Sequence, residues 1–187
     1  MIHMKLKEKI KAELNSYGGD ILNSEEMHRA FAQTHHTRST VAEHTRRVAE
    51  NSLAICHALE RLGISTDIKA VVEGALCHDL GILDREEKFE NKQECFRRHA
   101  DASVSTARTL LDHLPEKTRD IIEHHMWPAA GSRRPGHLEG FIVSAADKAA
   151  AVQDFIMGSR YKPADLRTTL RNISERNRKS AWKMKRK

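Results

Sequence analysis

At 187 residues, with 39% apolar and 5% aromatic side chains, the chain has material for one good hydrophobic core and not for two. Four prolines and nine glycines are too few to punctuate a sandwich or barrel, so helices are the favoured class. The net charge of +6 suggests nucleic acid until it is located. Residues 171–187, "RNISERNRKSAWKMKRK", hold eight Lys or Arg against Glu175, and the rest of the chain is close to neutral. Such a tail is commonly a solvated terminus, so RNA, DNA or an acidic partner is expected only through it.

No window approaches the ~18 apolar residues of a membrane span, and "MIHMKLKEKIKAELNSYGGD" lacks the apolar stretch of a signal peptide. Cys56, Cys77 and Cys95, with no CxxC, read as reduced thiols of a cytoplasmic protein. A short amphipathic helix is expected over 4–16, with Leu6, Ile10 and Leu14 on one side, and "SYGGD" should break it. "NSEEMHRAFAQ" restarts with Ser24 as N-cap and acids in the first turn. The strongest periodic segment follows over 40–62, where Val41, His44, Val48, Ile55, Leu59 and Leu62 share a stripe that Gly63 stops. Asp67 can cap a helix carrying Ile68, Val71, Val72, Ala75 and Leu76, which Gly81 should end.

A charged connection, "DREEKFENKQECFRR", is expected to lead to His99 and then a helix to about His113. Pro115 suits the first turn of a helix running to Trp127 and ended by Pro128. After the loop "PAAGSRRPGH", residues 138–157 are apolar nearly all round, the pattern of a helix central to the fold. A last helix from Pro163 should carry the basic tail. No repeat and no strand-like alternation of useful length interrupts this series, so the architecture reads as an all-α bundle.

Polar residues on apolar faces carry the chemistry. His44 interrupts the best stripe, and "GALCHDLGI" sets His78 and Asp79 side by side where an apolar helix runs out. His125 follows Ile121 and Ile122 onto a core face, whereas its neighbour His124 lies about 100° round the helix. Asp147 sits mid-way along the apolar helix, a costly place for a carboxylate unless it is paired or metal-bound. With His99, these residues gather from five helices, and imidazole with carboxylate suits divalent Mn, Fe, Co, Ni, Zn or Mg. Five or six ligands exceed one structural zinc and suit two metals about 3.5 to 4 Å apart, bridged by a carboxylate and a water. His3, His28, His35, His57, His113 and His137 read as ordinary residues, and His36 is ambiguous.

"VAEHTRRVAENS", "GALCHDLGILD", "RRHADAS", "IIEHHMWP" and "VSAADKAAA" resemble the HD-domain superfamily of metal-dependent phosphohydrolases, in order and spacing. "HHTRSTVAEH" and "HMWP" also resemble a subgroup of small bacterial HD hydrolases, in which His36 matches a recurrent histidine before the first ligand. The resemblance implies an all-α helical bundle with a central metal site: one domain over 1–187, with an N-terminal helical extension at 1–35, an HD core at 36–158 and the basic tail at 171–187. It implies one metal on His44, His78, Asp79 and Asp147, with Asp79 bridging to a second held by His99 and His124 or His125. The core-facing position and the following Met126-Trp127-Pro128 favour His125. The GYP element of cyclic-dinucleotide phosphodiesterases is absent from this sequence, as is a synthetase-type domain like that of alarmone hydrolases.

The reaction implied is hydrolysis of a phosphate ester, of a nucleotide or another small phosphorylated substrate, by a metal-activated water at Asp79 and His78. Lys148, Arg133, Arg134 and His36 are the residues expected to meet an anionic substrate. Two other classes use similar residues: an HD-type di-iron oxygenase, and a non-catalytic module that binds a nucleotide signal. The metal, the ester and the oligomeric state are not legible at this level.

Overall fold

The computed structural model describes residues 2–36 and 39–157. The helix expected from Pro163 and the basic tail therefore lie outside the described residues. The elements are α1 (Ile2–Leu22), α2 (Glu25–Ala32), β1 (Thr34–His36), β2 (Ser39–Thr40), α3 (Val41–Glu60), α4 (Ile68–Cys77), a 3-10 turn (Leu80–Ile82), α5 (Arg85–Lys88), α6 (Lys92–Leu110), α7 (Glu116–His124) and α8 (Leu138–Met157). The two short strands pair antiparallel, Thr34 opposite Thr40. The rest is an all-α bundle in which α3 packs against α4 and α8, and α4 also packs on α1 and α7.

Local signals set most helix starts. Ser24 accepts from the Met27 amide to cap α2, and Asp67 does the same for α4 from Ala70. Thr40 and Glu43 form a reciprocal capping box at the head of α3, directly before His44. Gly63, at φ +80°, takes the left-handed conformation after α3. Leu62, expected on the α3 stripe, falls beyond the helix and is exposed.

Several expectations fail for tertiary reasons. "SYGGD" does not break α1, which runs on to Leu22, because Gly18 is a contact point. A Cβ there would come within 2.4 Å of the Leu76 side chain, so the missing methyl lets α1 lie close on α4. The charged stretch before His99 is not a plain connection: Asn91 caps α6 and His99 stands on its third turn. Helix α7 ends at His124, short of Trp127, with Pro115 at its N-cap.

Helix α8 is sided, not buried all round. Ile142, Val143, Ala146, Ala150 and Asp154 face the core, whereas Val152, Phe155 and Ile156 face outward, the last two 78% and 69% exposed. The single core takes in Ile10, Leu14 and Ile21 of α1 and Met27 and Ala30 of α2 together with α3, α4 and α7. Among the described residues no helix is long and apolar enough to cross a membrane.

Candidate metal centre

Each functional side chain comes from a place where a helix faces the middle of the bundle. His44 stands on the first turn of α3, His78 is the C-cap of α4, and Asp79 follows where the chain turns away. His99 is on α6, His125 is the C-cap of α7, and Asp147 is on α8. The turn after Asp79 is pressed onto α6. A Cβ on Gly81 would lie 2.4 Å from the His99 carbonyl oxygen and 2.3 Å from the Ser103 amide nitrogen. The Gly81 amide donates to Ser103 Oγ at 2.9 Å. Gly81 is thus required for close approach, not for the helix stop expected of it, and that approach brings Asp79 to His99.

Asp79 joins the two halves of the cluster. Its Oδ2 is 2.5 Å from His35 Nε2, 3.3 Å from His78 Nε2 and 3.8 Å from His44 Nε2. Its Oδ1 faces the other way, 3.4 Å from His99 Nε2 and 3.6 Å from His125 Nε2. Asp147 Oδ1 lies 2.9 Å from His44 Nε2 and 3.8 Å from His78 Nε2. Among the described residues, three sets of donor atoms lie within 4.8 Å of one another: His35, His44 and Asp79; His44, His78 and Asp147; and His78, Asp79 and His125.

The outer nitrogens of the rings are already committed. His78 Nδ1 donates to Ala75 O at 2.7 Å, His99 Nδ1 to Cys95 O at 2.9 Å and His125 Nδ1 to Ile122 O at 2.7 Å. A carbonyl can only accept, so each Nδ1 carries its proton and each Nε2 is the ring nitrogen that faces inward, where a cation can take its lone pair. The Nε2 atoms of His99 and His125 lie 3.0 Å apart, within hydrogen-bond distance. His78 Nε2 is fully buried and makes no hydrogen bond. Inward lone pairs beside two carboxylates are the donor set of a divalent cation, so the residues fit one.

The electrostatics agree. Burial alone would lower the His78 pKa, but the Asp79 and Asp147 carboxylates override it and hold it at about 10. The carboxylates thus draw positive charge to the place that Nε2 faces, a proton in the absence of a cation and one that a divalent ion would displace. Asp79 and Asp147 remain well below the usual carboxylate range: burial opposes this, and His78 with His35 for Asp79, and His44 with His78 for Asp147, prevail. Burial and the neighbouring His78 push His125 down to about 3, leaving it a neutral donor. Burial raises the Cys77 and Cys95 thiols, and neither belongs to the donor sets.

The sequence candidates divide on inspection. His44, His78, Asp79, His99, His125 and Asp147 come together. His124 does not: its Nδ1 donates to Asp120 Oδ1 at 2.8 Å, on the side of α7 away from the centre. Asp120 also accepts from the amides of Gly136 and His137, pinning the loop after α7.

His35, read from sequence as ordinary, stands in the cluster, bonded to Asp79 and stacked on His44 with ring centroids 4.3 Å apart. His36 lies next to it in β1, and its side chain is outside the described part.

Asp154 was not anticipated either. It is buried, pairs with Arg47, and accepts from His44 Nδ1 at 2.7 Å. Its signal was its place seven residues after Asp147, on the same face of α8.

One side of the cluster opens to a cavity of about 670 Å³. His35, Asp79, His99, His125 and Asp147 form its polar floor, Ile82, Phe89, Phe96 and Met126 its apolar walls, and Arg85, Lys92 and Lys148 its cations. Lys148 donates to His125 O at 3.0 Å and Ser144 Oγ at 3.2 Å. Arg133 and Arg134 are not on this cavity, and the Arg134 guanidinium instead lies over the Phe141 ring.

A family model, the HD domain, matches residues 41–152, which include every member of the cluster except His35. No curated protein and no solved structure matches the chain. With well over half its length covered by that model, an all-α bundle and an inward-facing His/Asp cluster, the chain belongs to the HD-domain family of metal-dependent hydrolases.

Proposed function

We propose that the protein is a phosphohydrolase acting on a small phosphate ester, a nucleotide or a similar phosphorylated compound. The observation that carries this reading is a seven-residue His/Asp cluster at the floor of a cavity that also presents Arg85, Lys92 and Lys148. His44, His78, Asp79 and Asp147 would hold one divalent ion, and Asp79, His99 and His125 a second. Bound ions supply Lewis acidity, lowering the pKa of a coordinated water and neutralising phosphoryl charge.

The chain's own residues do the rest. Asp79, with one oxygen toward each half, sets the spacing of the two sites. His35 lies between that carboxylate and the cavity, so it faces whatever binds there. Lys148 and Arg85 attract and orient the phosphate, while Phe89 and Phe96 give the organic part of the ester an apolar surface. Arg133 and Arg134 have no part in this arrangement.

The test is a panel of phosphomonoesters and phosphodiesters, nucleotides included, with added Mn²⁺, Co²⁺, Ni²⁺ or Mg²⁺. Metal-dependent phosphate release is expected, with Asp79→Ala and His78→Ala folded but depleted of metal and at least 100-fold less active. Oxygen consumption with bound Fe²⁺, and no phosphate release, would replace this reading with the oxygenase one.

A further inference from the structure

Resting on the metal-centre reading above, the structure points to unequal halves. Three of the inward histidines, His78, His99 and His125, direct Nδ1 to a backbone carbonyl of their own helix. His44 alone among these four directs it to a carboxylate. Asp154 Oδ2 accepts from His44 Nδ1 at 2.7 Å, and Asp154 Oδ1 pairs with the Arg47 guanidinium. All three side chains are buried: His44 wholly, Asp154 at 1% exposure and Arg47 at 5%. His44 and Arg47, three apart on α3, reach one carboxylate on α8, where these two helices make a main contact of the bundle.

A carboxylate held by arginine cannot swing away, and in a dry interior it polarises the N–H it accepts from more strongly than a carbonyl does. The imidazole behind that bond becomes the better electron donor at Nε2, the nitrogen that faces Asp147 at 2.9 Å and Asp79 at 3.8 Å. The bond also fixes the tautomer, since Nδ1 must keep its proton.

We propose that Asp154, oriented by Arg47, is the positioning residue for His44, and that it makes the half of the centre formed by His44, His78 and Asp147 the stronger cation site. The half formed by His99 and His125 has only carbonyls behind its rings and is the weaker site. The two ions then bind in order, with Asp79 shared between them.

The experiment is titration of metal-free, full-length protein with Co²⁺, followed by calorimetry and by the visible absorption of the bound ion. Two phases of different affinity are expected for the wild type. Asp154→Asn should weaken the tighter phase by about 10- to 100-fold and leave the weaker one unchanged. His125→Ala should do the reverse. Equal weakening of both phases by Asp154→Asn, or of neither, overturns the proposal, as does a single phase in the wild type.

Should Asp154→Asn fail to fold, long-range ¹H–¹⁵N NMR of the Zn²⁺-loaded wild type decides without a variant. The proton of His44 must sit on Nδ1, and a proton on Nε2 would overturn the assignment. Wild-type protein that takes up no Co²⁺ would remove the metal-centre reading itself, a separate outcome from uptake that Asp154→Asn leaves untouched.

Discussion

Asp120 and Asp79 are both partly or wholly enclosed carboxylates surrounded by histidines, yet the structure uses them differently. Asp79 accepts from His35, but it also faces the Nε2 atoms of His78, His99 and His125, whose Nδ1 is committed to a carbonyl, and these leave room for a cation. Asp120 faces N–H groups: the Nδ1 atoms of His124 and His137 and the amides of Gly136 and His137 donate to it. Its needs are met, and its work is to hold a loop.

Those donors hold the Asp120 carboxyl below its ordinary pKa: burial opposes this, and the Gly136 amide with His137 and His124 prevails. A depressed folded-state pKa means stability that is present above the unfolded value of about 3.9 and is lost as pH falls through the folded one. Asp120→Asn should therefore lower stability at pH 7, and the gap from wild type should narrow progressively below about pH 4. Urea unfolding of both proteins across that range checks it. A gap that stays constant or widens on acidification would show that the carboxylate charge is not what the loop depends on.

At the scale of elements, the decisive contact is the turn after Asp79 lying on α6. Gly81 permits it, because a methyl group there would meet backbone atoms that cannot rotate aside. Overpacking of this kind costs about 1–3 kcal/mol, with the upper part expected where the obstacle is backbone. Gly81→Ala should show that loss in urea unfolding and should also take up less metal, since the turn and α6 must separate and carry Asp79 from His99. Wild-type stability with wild-type metal content would mean that the approach is not needed.

The same element scale explains which expectations held. Caps are local, so Ser24 and Asp67 follow from the chain within three residues of themselves. Gly18 and Gly81 were misread because a glycine placed for close approach and a glycine placed for a turn look alike until the partner is known. The length of α7 was overestimated because the apolar pattern runs on past the helix into Met126 and Trp127.

For the whole molecule, α1 and α2 share the core with the helices that carry the site, so the first 35 residues are part of its support. The basic residues at 171–187 are far in sequence from any member of the cluster. A chain ending at residue 170 should keep its metal and its phosphatase activity; a folded truncation that loses activity would assign the tail a part in the chemistry.

The sequence by itself determined the helical class, the starts of α2, α3, α4, α7 and α8, and the cluster members that interrupt apolar faces, because burial of a polar side chain on a periodic stripe leaves a mark in the chain. His44, His78, Asp79, His125 and Asp147 were legible on that ground, and His99 from its place in the motif order. Tertiary structure alone brought in His35, Arg47 and Asp154, which no apolar stripe or motif marked as partners of the cluster. The physical reason is common to all three: ring orientation and hydrogen-bond partners are set by contacts up to 110 residues apart, and no local pattern records them.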